Sequence, residues 1–206
     1  AEIKPYVKNG KTFGSDGYFN MYDQLSEEGA QKDEQHSNQR NVIYLNSLSD
    51  LTSPYVQGVY VHELAHLLVF ARHKDDPSFE LDPWVSELLG EAAMQTANLY
   101  TDHVHATRYI QNLDQPIAVT GYGLSYGALS MFAEFLIDIF GEEKMGDLAG
   151  SNTANSFRKF ELVYEAPWRV LFEGYLQWLF QHSARSKFHV GAVKAKPLPE
   201  QLQLAP

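Results

Sequence analysis

The sequence contains no cysteine. Disulfides and thiolate ligands are therefore excluded, and any metal site must be built from histidine and carboxylate. Positive charge is also scarce, with 16 Lys and Arg against 26 Asp and Glu and a formal net charge of −10. That balance argues against nucleic acid or an anionic membrane as the natural partner. No stretch is long and apolar enough to span a bilayer, because the longest candidate is interrupted by Gly58, His62, Glu63 and His66. No segment has the pattern of a signal peptide, and neither an internal repeat nor a clear linker is visible.

What is present describes a compact protein. At 206 residues, 44% hydrophobic and 13% aromatic, the chain can bury one substantial core, or two lobes that share a cleft. Short aromatic strand candidates and turns such as Asn9-Gly10 and Gly14-Ser15-Asp16-Gly17 fill the first forty residues. Residues 27–40 read as a charged loop, and residues 41–46 as a β-branched strand bounded by Asn. From Pro54 onward the pattern is mainly helical, interrupted at Gly121-Tyr122-Gly123. Ser125 caps a helix ending at Gly141, and another is predicted over 167–182, with Trp168, Leu171, Phe172, Tyr175, Leu176 and Leu179 as a core stripe. Residues 191–206, with three prolines, form an extended tail. Strands first and helices after predict an α+β protein in two lobes, about 1–75 and 76–190.

One segment stands apart from packing logic. His62-Glu63-Leu64-Ala65-His66 reads HExxH inside a helical run. Ser53 is its N-cap and Pro54 its first residue, and Arg72, His73 and Lys74 close it where the helix dipole favours positive charge. Imidazoles at i and i+4 leave the same side of a helix and can grip one metal ion. Glu63 lies where its carboxylate can reach a water on that metal and act as general base. Eight histidines in 206 residues would give HExxH by chance in roughly one or two of a hundred such chains, so the setting carries the weight. This helix is apolar nearly all round, which predicts burial between two layers. There, two histidines and a glutamate are costly unless something pairs with them.

Catalytic zinc takes three protein ligands and leaves one position open. Asp82-Pro83 starts a second helix on which Glu87 and Glu91 stand at i and i+4. Glu87 is assigned as the third ligand. Glu91 is its supporting neighbour, accepting the second N–H of a ligating histidine. Against this stands a solvated carboxylate stripe on an amphipathic helix.

With these residues the chain resembles the gluzincin clan of zinc metallopeptidases, in which HExxH is followed by a glutamate ligand on a later helix. The Trp84-Val85-Ser86-Glu87 segment is similar to that clan's Trp–x–Asn/Ser–Glu. More narrowly, the chain resembles the hyicolysin family of bacterial metallopeptidases. Gly17-Tyr18-Phe19, Ser37-Asn38 leading into a strand, HExxH, Trp84 to Glu87, and Tyr126-Gly127-Ala128 running to Phe140-Gly141 carry the likeness. It covers roughly residues 17–179. The resemblance implies a zincin-like fold, with a small N-terminal sheet, an active-site helix and a mainly helical C-terminal lobe, as one peptidase domain over 1–190. It implies Zn2+ as cofactor, a peptide or protein substrate, and a secreted or cell-envelope location.

A strand beside the active-site helix can pair with an extended substrate by edge addition. A tyrosine stabilises the oxyanion in parts of the clan. Tyr126 and Tyr122 are the candidates, with His103, His105 and Arg108 behind them. Asp102, His103 and His105 could form a separate metal cluster, although exposed polar residues at a helix end account for them too. The alternatives to a zinc endopeptidase are a zinc-binding recognition module of the same fold with little or no activity, and a helical protein without metal. Oligomeric state is not legible.

Overall fold

The computed structural model describes residues 2–3, 6–8, 11–13, 16–46, 49–76, 79–99, 106, 109–110, 113, 117, 125–152 and 156–185, with residues 2–13 and 182–185 as backbone alone. The predicted turn at Gly121-Tyr122-Gly123, the polar residues 102, 103, 105 and 108, and the predicted tail lie outside the described residues. The described chain is α+β. Its strands are β1 (Glu2–Ile3), β2 (Tyr6–Lys8), β3 (Lys11–Phe13), β4 (Gly17–Phe19) and β5 (Ile43–Asn46). The helices are α1 (Glu27–Gln31), α2 (Pro54–His73), α3 (Pro83–Thr96), α4 (Tyr126–Phe140), α5 (Glu142–Gly150), α6 (Ser156–Tyr164) and α7 (Trp168–Arg185). They form two compact units, Ala1–Pro77 with Ala93–Asp102, and Ser78–Ala92 with His103–Pro206. The chain thus crosses the expected boundary near residue 76 more than once, and the continuous helix α3 contributes to both units.

In the first unit β5 is the central strand of a three-stranded sheet, parallel to β1 and antiparallel to β4. β2 and β3 form a separate antiparallel ribbon. The strand period of two sorts β4 cleanly. Gly17 faces α2, Phe19 lies 6.0 Å from the ring of Phe70, and Tyr18 stacks on its cross-strand partner Tyr44 at 4.5 Å. Tyr44 then donates to Asp23 at 2.7 Å, and Asn38 supplies Asp23 with two more donors at 2.8 and 3.1 Å. These bonds let a carboxylate sit 1% exposed. The stretch expected to be a charged loop begins instead with α1, because the Ser26 hydroxyl accepts from the Gly29 N–H and two glutamates occupy the first turn.

Helix α2 starts as its sequence predicts, with the Ser53 hydroxyl accepting from the Val56 N–H and Pro54 in the first turn. Tyr55 donates to Asp16 at 2.7 Å, and Gln24 donates to the Leu67 carbonyl at 3.2 Å. Both ends of the helix are thereby tied to the segments flanking β4. Burial on all sides is not observed, since Tyr60 and Leu68 stand exposed. The strands have only two to four residues, too short to blanket a helix about 30 Å long. Where α2 meets the end of α3, the facing residue is Gly58. A Cβ there would stand 2.9 Å from Met94 Cε and 3.0 Å from the Leu99 carbonyl oxygen.

The second unit is aromatic. Helix α4, capped by Ser125 and ended by Gly141 at φ +84°, is buried over most of its length. Trp84 of α3 stacks on Phe160 at 5.3 Å, and Phe132 of α4 meets Tyr175 of α7 edge-on at 5.1 Å. Such pairs contribute about 0.5–1.5 kcal/mol each beyond the area they bury. Trp178 donates to Asp138 at 2.8 Å, so a buried indole keeps its hydrogen bond. On α7 the expected stripe divides, with Leu171, Tyr175 and Leu179 buried while Phe172 and Leu176 are exposed.

Candidate metal centre

α2 and α3 converge on one polar group. His62 and His66, one turn apart on α2, have ring centroids 4.8 Å apart and nearly perpendicular planes. Glu87 of α3 joins them, and the ligand atoms of the three residues all lie within 4.8 Å of one another. His62 is 7% exposed, whereas His66 and Glu87 are half-buried. Two imidazoles and a carboxylate suit a divalent transition metal rather than the all-oxygen shells of calcium and magnesium. Tetrahedral ligands about 2.1 Å from a metal stand about 3.4 Å apart. Binding therefore asks only a modest closure of this triangle, within reach of side-chain torsions, and the residues fit the ion.

Glu63 is 8% exposed. Its stem runs against β4, for a Cβ on Gly17 would stand 3.2 Å from Glu63 Cγ and 2.7 Å from Val59 Cγ1. The missing side chain at 17 is what allows β4, the edge of its sheet among the described residues, to lie so near Glu63. Glu91, one turn beyond Glu87, is buried at 4% exposure. Tyr126 opens α4 and is 40% exposed. Tyr122, His103, His105, Arg108 and Asp102 fall outside the described residues. The structure thus gathers His62, His66 and Glu87 into one cluster and shows Glu63 and Glu91 buried on the same two helices.

The start of α3 has an anchor that the sequence did not announce. Asp82 accepts a hydrogen bond from the Ser156 hydroxyl at the head of α6. Lys159, one turn along α6 and 1% exposed, places its ammonium 5.2 Å from the centroid of the Phe79 ring. Burial pulls the Lys159 pKa down, and the charge of Asp82 opposes the fall. These contacts fix the helix that carries Glu87. The signal available in sequence was the spacing Ser156-x-x-Lys159, which puts both side chains on one face, but nothing local pointed to Asp82 as their partner.

No protein-family model, curated protein or solved structure matches the chain. Its function is therefore read from the site. No described helix is long and apolar enough to cross a membrane.

Proposed function

We propose that this protein is a zinc-dependent endopeptidase of gluzincin type, with a zincin-like fold. The observation that carries the proposal is the convergence of His62, His66 and Glu87, whose ligand atoms lie within 4.8 Å of one another, from two helices. The HExxH order of α2 supports it further, because it sets an acid directly beside the first ligand. His62, His66 and Glu87 hold the metal. Zinc bound there supplies Lewis acidity, lowering the pKa of a water towards ~7 and drawing charge from a carbonyl oxygen. Glu63 accepts the proton of the attacking water and returns it to the leaving amine. Its burial limits competing solvent. Glu91 orients a ligating histidine through its second ring nitrogen. A phenol, Tyr126 or Tyr122, donates to the oxyanion. The substrate is a peptide or unfolded protein laid along the β4 edge, and an acidic chain of this kind has no role for nucleic acid. A secreted or cell-envelope site of action belongs to the same proposal.

Zinc content and casein hydrolysis, measured with and without a chelator, test it directly. The protein should purify with about one zinc per chain, and chelation should abolish cleavage that added zinc restores. Glu63→Gln keeps shape and both histidines, so it should retain zinc while turnover falls by several orders of magnitude. Zinc binding without any cleavage would leave a recognition module of the same architecture. Cleavage by Glu63→Gln at the parent rate would overturn the mechanism.

A further inference from the structure

Gly58 is the one interior interruption in a helix otherwise made of good helix formers and apolar residues. A glycine there costs about 1 kcal/mol relative to alanine, which calls for a packing reason. The structure supplies it. A Cβ at 58 would meet Met94 Cε at 2.9 Å, closer than real side-chain carbons settle, and the Leu99 carbonyl oxygen at 3.0 Å, tight enough that the neighbour must give by a few tenths of an ångström. The Met94 methyl ends a flexible side chain and can swing away. The Leu99 carbonyl cannot retreat as easily, because it belongs to the tight turn that ends α3. In that turn Asn98 has φ +54°, the Leu99 N–H reaches the Met94 carbonyl at 3.0 Å, and the Asn98 N–H reaches the Gln95 carbonyl at 2.8 Å. This paired closure is a Schellman motif, with Asn tolerated in the left-handed position.

The contact lies close to the metal ligands along both helices. His62 follows Gly58 by one turn of α2, about 6 Å of rise, and Glu87 precedes Met94 by two turns of α3, about 10 Å. The histidines belong to one helix and keep their mutual spacing whatever α3 does. Glu87 belongs to the other, so its reach depends on where α3 is held. We propose that Gly58 is the positioning residue of this metal centre: by letting α2 touch the end of α3 with no side chain between, it sets the distance from the His62–His66 pair to Glu87. The inference rests on the metal reading above and adds what fixes its third ligand. A methyl group at 58 pushes the Schellman turn, and with it the rigid helix, outwards by a few tenths of an ångström. That displacement is of the size at which ligand constellations lose function.

Zinc affinity, read by competition with a chromophoric indicator, tests this without reference to catalysis. Gly58→Ala should bind zinc roughly tenfold more weakly than the parent, the lower end of what a lost ligand support costs. In a Glu87→Ala background the same change should alter affinity less than twofold, because the two histidines left on α2 do not depend on α3. Equal losses in both backgrounds, or no loss in either, would show Gly58 to be a packing glycine and overturn the proposal. If Gly58→Ala proves too unstable to purify, Gly58→Ala with Met94→Ala frees the methyl's space, keeps the Leu99 contact and carries the same comparison. A parent that binds no zinc would overturn the peptidase reading and this inference together, whereas a zinc-binding parent without coupling would overturn this inference alone.

Discussion

Helices α2 and α4 are both long, both capped by serine, and each lies at the centre of its own unit. They differ in what they bury. α4 buries Gly127, Ala128, Leu129, Ser130, Met131, Phe132, Ala133, Phe135 and Leu136, a list that apolar packing explains almost completely. α2 leaves Tyr60 and Leu68 in solvent while burying His62, Glu63 and His73. A helix selected only for stability would exchange those positions. The inversion on α2 fits the metal centre proposed there, and the regularity of α4 fits a packing role.

The comparison can be sharpened by substitution. Phe132→Ala in the core of α4 should cost about 3–5 kcal/mol of stability, the range for a buried ring replaced by a cavity. Urea unfolding followed by circular dichroism would show it, and a loss under 1 kcal/mol would break the contrast. Glu91→Ala should weaken zinc affinity about 10–100-fold with only a small change in unfolding midpoint. If it empties the site while Glu87→Ala does not, the two carboxylates have exchanged roles.

Tyr44→Phe probes a buried charge that the protein satisfies with its own donors. Losing one donor to Asp23 should cost about 1–2 kcal/mol. It should also change the alkaline limb. Burial, followed by the hydrogen bond and charge of Asp23, pushes the Tyr44 pKa up to about 12. Its contribution to stability is complete below the unfolded value near 10 and is lost as pH rises towards 12. The variant should therefore lose stability less steeply between pH 10 and 12. An unchanged slope would remove Tyr44 from the alkaline transition. Smallest of all, Leu68→Ala on the exposed face of α2 should shift stability by no more than about 0.5 kcal/mol. A larger loss would mean that this face packs against something in solution.

Much of this was legible because its signals are local. Ser53-Pro54, Asp82-Pro83 and Ser125 announce helix starts within two residues. The HExxH spacing and the Glu87/Glu91 pair sit on single helices, where a period of 3.6 decides which side chains share a face. At residue 26 the Ser26 cap and the two glutamates after it are themselves local signals of a short helix, and the charge of the whole stretch masked them. The rest of what escaped depends on long-range contact. Asp23 looks solvent-bound until Asn38 and Tyr44 close over it. Gly58 reads as a blemish in α2 until the end of α3 arrives 36 residues later. Exposure of Tyr60 and Leu68 follows from how little area the short strands cover, a quantity that no hydropathy pattern contains.

Helix α3 has a further consequence, in the order in which the molecule is made. Its last turn and the segment that follows, Ala93–Asp102, complete the first unit, while its earlier turns belong to the second. Neither unit is a continuous stretch of polypeptide. During synthesis the sheet and α2 emerge first and must then wait for roughly 25 more residues, about 1–5 s at ordinary elongation rates, before Met94 and Leu99 reach Gly58. Until then Gly58 faces water on the nascent chain, and the contact that closes the first unit is still unmade.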